Sequence, residues 1–507
     1  MVDRADGLSG ERAGPRGSVT RLGRLLPHGI ALAGAVVAAF LLYHEVLGYA
    51  LVGHDTYPII AAARIRDAGD LLGTFTEELM DGRYTEGHFY RPVLNLSFAI
   101  DHALYGLRAW GYHLTDLLLL ALTAYAIARL ASGGGRRAIG IAGIAAGLLY
   151  LFHPVHLNVL PVAARRADSL AVLFVALALL AGRARGRSGR WGPALFALLA
   201  VGSKESGAIA PVLLFAQALL SSRGDRSREP RRLRSALREA ILPLAAVLLF
   251  FLARQAVLGG LGGHREVSFA GLSRHAVLIF MWIQRYTFHP YPILGGLLGG
   301  QAWTPALFAF YAIASAALLR GTGAGRTAAL AWAWLLLGAG IHIPSLSISP
   351  WYALHSVAGL AILSGLLVER VLAVAADEGR GGARIGGAFV LAAVVALGGV
   401  NLRHSPLFAF YPEWKDASRK TERFLGGLKA RVRSAPAEST IEAPDLPFLS
   451  RYRSGSPIAI VAPLSDYAVQ AWAELTFPER RIRVARAGTE AAPPAADEVL
   501  VVVAPGG

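Results

Sequence analysis

Long apolar runs separated by short polar ones recur from residue 29 to residue 400. A run of roughly 18 or more apolar residues is long enough to cross about 30 Å of hydrocarbon. The pattern predicts spans over Gly29–Val52, Tyr112–Leu130, Ala138–Phe152, Leu170–Gly182, Ala240–Leu258, Trp303–Leu319, Ala328–Ile343, Ala353–Val368 and Ile385–Val400. Residues 191–222 admit two readings: one long span with Lys204 and Glu205 inside it, or a hairpin of two spans turning at Ser203–Ser206. The flanking loops decide between them. Arg183, Arg185, Arg187 and Arg190 lie before this stretch, and residues 223–238 after it hold seven arginines. A hairpin puts both loops in the cytoplasm, as the positive-inside rule favours, and brings the total to about 11 spans with the N-terminus inside and the C-terminus outside. Its short first arm places Lys204 and Glu205 below the outer interface, in a cavity.

Two polar stretches, 53–111 and 259–302, then become outer loops. In the first, Leu71–Met80 and Pro92–Leu104 have helical apolar spacing and are expected to lie along the membrane surface. In the second, the apolar piece Ala276–Trp282 is too short to span. Residues 1–28, rich in Arg and Gly, read as a disordered cytoplasmic tail. The first span lacks a small-residue cleavage site and reads as a retained anchor. From Arg403 the composition is that of a soluble domain, with helices at Pro412–Val432 and Asp466–Leu475 and strands at Ile458–Val461 and Val499–Val503. The expected fold is an all-α polytopic membrane protein: a transmembrane domain over 29–402 and a small α/β extracytoplasmic module over 403–507.

Composition supports this reading. The chain is 54% hydrophobic and 17% charged, where a soluble domain carries about 25% charged residues. A net charge of +16 would raise nucleic acid as a partner, but the arginines cluster in short loops between spans, so the bilayer explains them better. With no cysteine there is no disulfide, thiolate or Cys-ligated metal. No G-x-x-x-x-G-K-[ST], H-E-x-x-H or G-x-S-x-G run occurs, so nucleotide hydrolysis, zinc proteolysis and serine hydrolysis lack their motifs.

Ionisable residues gather at the outer ends of spans, where they are expensive and usually functional. They are His54 and Asp55; Glu86, His88 and Arg91; His153 and His156; Arg165, Arg166 and Asp168; and Lys204 with Glu205. Each also has a plain structural reading. Asp55 suits a helix start, Asp168 suits a helix dipole, the histidines suit an interface, and Lys204-Glu205 suits a self-neutralising turn.

Several spaced motifs resemble GT-C membrane glycosyltransferases, in particular the TMTC-like protein O-mannosyltransferases and their bacterial relatives. These are Tyr90-Arg91-Pro92-Val93; Gly111-Tyr112-His113; Phe152-His153-Pro154-Val155-His156; Arg166-Ala167-Asp168; Ser203-Lys204-Glu205-Ser206; and, more loosely, Pro350–Gly359 with Tyr352, and Glu413-Trp414-Lys415-Asp416. The chain departs from that pattern in three places. The acidic pair after the first span is His54-Asp55, which leaves Asp55 as the single base and no paired carboxylate for a divalent metal. The late motif lacks a basic residue beside its Tyr. No tetratricopeptide array is present.

The resemblance implies an inverting transfer on the outer face of a bacterial inner membrane, from a polyprenyl-phosphate-linked sugar to a protein or glycan acceptor. Asp55 would then be the general base. Lys204, Arg166 and Arg285 would be the candidate cations for the lipid phosphate, with Lys204 first. His54, Glu86, His88, Arg91, His153, His156, Asp168, Glu205 and Tyr352 would support the site. The resemblance fixes no cofactor, and a divalent metal stays an option without a paired acidic motif behind it. A flippase of lipid-linked sugars would share the cavity and the cations but need no base, and a non-catalytic scaffold would need neither. The long amphipathic loop after the first span favours the enzyme.

Overall fold

The first apolar run forms α1 (Val19–Tyr43), which breaks into a single 3-10 turn at His44–Gly48. It starts inside the tail expected to be disordered, because Val19–Leu26 already alternates apolar and basic residues. The computed structural model describes residues 19–84, 87–133, 139–184, 187–221, 229–260, 262–263, 272–288, 303–320, 322–345, 349–376, 396, 399, 410–434, 438–443, 464–486 and 499–502. The expected span Ile385–Val400 and strand Ile458–Val461 therefore lie outside the described residues.

Gly53, at φ +100°, turns the chain before α2, and Val162 would collide with any side chain there. The outer loop then folds as α2 (Thr56–Ala62), α3 (Ala68–Thr76) and α4 (Pro92–Tyr105). The second of these starts earlier than its apolar spacing predicts, because Asp67 caps it by accepting from the Asp70 amide. Pro92 opens α4 at a position where its missing N–H costs nothing.

The bundle follows as α5 (Ala109–Ala131), α6 (Ile141–Leu151), the single turn α7 (His156–Val159), α8 (Arg166–Gly182), α9 (Arg187–Ser203), α10 (Ala210–Ser221) and α11 (Glu229–Leu258). After these come α12 (Leu272–Phe288), α13 (Trp303–Leu319), α14 (Gly325–Gly340) and α15 (Leu354–Ala376). The piece read as too short to span is the middle of α12, whose Ile279, Ile283 and Phe288 are buried. Gly359 and Gly365 let α15 press against the backbones of α14 and α6, since a Cβ would meet the Ala331 and Ala142 carbonyl oxygens at 2.5 and 2.2 Å. Small residues allow such close approach between membrane helices.

Among the described residues, four helical segments are long and apolar enough to cross a bilayer: Leu26–Gly48, Ala109–Ala131, Arg232–Leu258 and Pro350–Val374. Ile241, Leu244, Leu248 and Leu252 form an exposed stripe along α11. In water such a stripe would be a liability; against lipid it is the preferred surface. The chain is an integral membrane protein.

α9 and α10 form the hairpin. Gly182, at the end of α8, neighbours both Pro193 near the start of α9 and Leu214 and Gln217 in α10. At the other end of α8, Asp168 meets Lys204 in the turn. Ala184→Cys and Ser221→Cys are thus expected to label from the same side of the membrane, with no native cysteine to interfere. Labelling from opposite sides would remove the hairpin.

Beyond the spans, α16 (Phe410–Ser434) and α17 (Asp466–Thr476) accompany a three-stranded parallel sheet. Its order is β2 (Arg481–Arg486), β1 (Glu438–Ala443), β3 (Val499–Val502). The strand at β3 was expected; β1 and β2 were not. The period-two alternation of Arg481-Ile482-Arg483-Val484 could have disclosed β2. Leu428, Val432, Leu464, Val469 and Trp472 of this region share one hydrophobic cluster with Ile59, Ile60, Met80 and Phe98 of the outer loop.

Candidate active site

A row of alternating charge runs from the outer loop into the bundle. It begins at Asp55, at the N-terminus of α2. Asp55 stands where a helix starts, as its sequence suits, but this carboxylate makes no capping hydrogen bond. It accepts instead from the Tyr467 hydroxyl at 3.1 Å.

Arg165 comes next, within electrostatic reach of both Asp55 and Asp168. Its guanidinium lies 3.8 Å from the Trp351 ring centroid and 4.8 Å from that of Trp414. It donates to the Asn158 backbone oxygen and, at 2.5 Å, to the Asn158 side-chain oxygen. Two tryptophans far apart in sequence thus fix one cation, as stacking on aromatic faces permits for arginine.

Lys204 then reaches both Asp168 oxygens, at 2.6 and 2.7 Å. Lys204 can do this because it is the one extended residue between α9 and the turn at Glu205–Ile209. Gly207 closes that turn against Ala200, leaving no space for a Cβ. Tyr352 lies under the ammonium at 4.8 Å and is itself stacked on His342 at 4.3 Å. At the inner end Glu205 accepts from Arg91 at 2.9 Å and from Arg254 at 2.6 Å. The turn is therefore not self-neutralising: each of its charged residues pairs with a different helix.

The other sequence candidates stand apart from this row. Arg166 is held between Asp116, at 2.6 Å, and Asp101, at 2.7 Å, and also bonds the Tyr112 carbonyl. Its side chain is 0% exposed. It ties α8 to α4 and α5 and has no face open to a lipid phosphate. His153 uses Nε2 on the Thr287 carbonyl and Nδ1 on the Val155 amide, and His156 bonds the Tyr150 carbonyl. Both pin the chain after α6. His88 is exposed and paired with Glu78 at 2.7 Å. Arg285 lies over Trp282 at 4.8 Å and has no carboxylate partner among the described residues. Glu86 lies outside the described residues. No cluster of three or more His, Cys, Asp or Glu among the described residues could hold a metal.

Two contributors had no role assigned from the sequence. Arg165 stands there among the ionisable residues at span ends, beside Arg166, and only the two tryptophans distinguish it. Tyr467 carried no signal at all. A cleft of about 440 Å³, lined by Arg64, Arg66, Asp70, Glu77, Arg83 and Glu474 among others, opens at the far end of α2 from Asp55.

No family model matches the chain. Segments of it are similar to protein O-mannosyl-transferases. The identity is 37% over 91 residues with TMTC2 of Mus musculus and 26% over 171 residues with Tmtc1 of Drosophila melanogaster, or 18% and 33% of this chain. These segments span 11% and 20% of the relatives' own lengths. Among solved structures, ArnT from Cupriavidus metallidurans bound to undecaprenyl phosphate is similar over 92% of this chain and 90% of that one, with 16% identity and a TM-score of 0.48. Its apo form gives 0.44.

Proposed function

We propose, from this similarity to protein O-mannosyl-transferases, that the chain is a GT-C-type membrane glycosyltransferase. It moves a sugar from a polyprenyl-phosphate donor to an acceptor hydroxyl at the outer face. The observation that carries the reading is the row from Asp55 through Arg165, Asp168 and Lys204 to Glu205, half-buried at its ends and buried at Asp168 and Lys204.

Asp55 takes the proton of the acceptor hydroxyl, whose oxygen bonds the anomeric carbon as the carbon–oxygen bond to phosphate breaks. Attack from the face opposite the phosphate inverts the anomeric centre. The electron pair passes to the departing lipid phosphate. Arg91, Arg165, Lys204 and Arg254 face Asp55, Asp168 and Glu205, leaving one positive charge over. A donor phosphodiester carries one negative charge, and a phosphate monoester about 1.5–2 near neutral pH. Protonation of Asp55 raises the surplus to two as the leaving group gains its second charge. Charge therefore stays balanced at a site where imbalance is costly.

Arg165 is the first choice for the phosphate. Lys204 is committed to Asp168, and Arg91 and Arg254 to Glu205, whereas Arg165 bonds no carboxylate among the described residues. Lys204 and Tyr352 support it from below. The acceptor, a protein or a glycan, approaches along the polar cleft beyond α2. The positive-inside pattern supports a cytoplasmic N-terminus and an outer 403–507 module.

The test uses the full chain in liposomes with a labelled polyprenyl-phosphate mannose. Transfer to acceptor is expected without any nucleotide sugar. Arg165→Gln is expected to weaken donor binding about 10-fold or more, the scale of one charge-assisted hydrogen bond. Donor crossing the bilayer with no transfer would establish the flippase reading instead.

A further inference from the structure

We propose that the C-terminal segment completes the catalytic centre, with the Tyr467 hydroxyl positioning the Asp55 carboxylate. The inference rests on the reading of Asp55 as the base.

Asp55 has no hold on its own helix: it occupies the N-cap position of α2 without a side-chain capping bond. Its orientation comes from α17. The Tyr467 hydroxyl donates to Oδ1 at 3.1 Å, and Oδ2 has no hydrogen-bond partner among the described residues. One oxygen is anchored and the other is left to receive a proton. Ser465, the N-cap of α17, accepts from the Ala468 amide at 3.1 Å and donates to the His54 carbonyl at 3.3 Å. The same residue thus starts α17 and ties it to the residue before Asp55. The Tyr467 ring is held edge-on by His54 at 6.4 Å and tilted against Tyr84 at 5.8 Å.

The helix beneath is well seated. Ala468 and Val469 are fully buried, in a cluster with Ile59 and Ile60 of α2, and Glu474 pairs with Arg83 of the outer loop at 2.9 Å. Burial, and after it the Asp55 carboxylate alongside, push the Tyr467 phenol up, so it remains a donor at every working pH. A donor aimed at one carboxylate oxygen limits the rotation of the group. That serves a base that must meet an acceptor hydroxyl in one geometry.

Tyr467→Phe keeps the ring and removes the hydroxyl. In the full-length protein, kcat is expected to fall about 10–100-fold, the scale of one hydrogen bond to a charged group. The KM for polyprenyl-phosphate mannose should stay within about 2-fold, because the carboxylate's position is changed and the donor site is not. The thermal midpoint should be unchanged. Combined with Asp55→Asn, Tyr467→Phe should cost nothing further, since there is no longer a base to position. Parental kcat in Tyr467→Phe, with Asp55→Asn inactive, would overturn the positioning role and leave the base assignment standing. Near-parental transfer by Asp55→Asn would instead remove the base assignment, and the positioning role with it.

Discussion

Asp55→Asn is expected to abolish most sugar transfer while leaving expression and thermal stability intact. Asparagine keeps the size and polarity of aspartate and caps a helix about as well, but it cannot take a proton. General-base catalysis contributes about 10²–10⁴-fold, so a loss of at least that order is expected in kcat with the donor KM little changed. The fold tolerates the substitution because Asp55 makes no capping bond and because an amide oxygen still accepts from Tyr467. Transfer within a few-fold of the parent would exclude Asp55 as the base and direct attention to Glu86. Loss of transfer together with a collapsed melting temperature would mean that the carboxylate holds α17 in place and is not reacting.

The second large effect is on stability and falls on Arg166. Its guanidinium is enclosed by the Asp101 and Asp116 carboxylates and lies 4.7 Å from the Phe98 ring centroid. Arg166→Met fills much of the same volume but strands two carboxylates whose side chains are only 3% and 7% exposed, too little to be hydrated. Removing one partner of a buried ion pair costs about 3–5 kcal/mol. A large fall in the thermal midpoint and in the yield of folded protein is therefore expected. Adding Asp101→Asn and Asp116→Asn should recover part of the loss, because the stranded charges are then gone. This result separates a clamp from a phosphate ligand. A phosphate ligand would weaken donor binding at full stability, and that outcome would return Arg166 to the donor site.

Most of the long apolar runs, the helix at Pro92 in the outer loop and the turn at Ser203–Ser206 were legible in the chain, and the described residues have helices or turns there. So were the motifs whose resemblance pointed to protein O-mannosyl-transferases, relatives that sequence similarity also identifies. These features depend on local composition: a run is apolar, or a loop basic, whatever it later packs against. Ends were less certain. α8 and α11 start earlier than hydropathy alone suggests, because their first turns carry Arg166 and Asp168 in one case and a run of arginines in the other.

Pairing was decided only by the tertiary structure. Arg165 and Arg166 are neighbours of the same type, but successive residues on a helix point about 100° apart. At the start of α8 that angle sends one between two tryptophans and the other between two carboxylates. Lys204 and Glu205 look like a self-neutralising pair in the sequence, yet the extended backbone at Lys204 turns them to opposite partners. Tyr467 lies more than 400 positions from Asp55, and no local pattern can report a bond across that distance. Hydropathy determined which runs of this chain become long apolar helices. Which charges face one another was determined by the packing of helices that the chain keeps far apart.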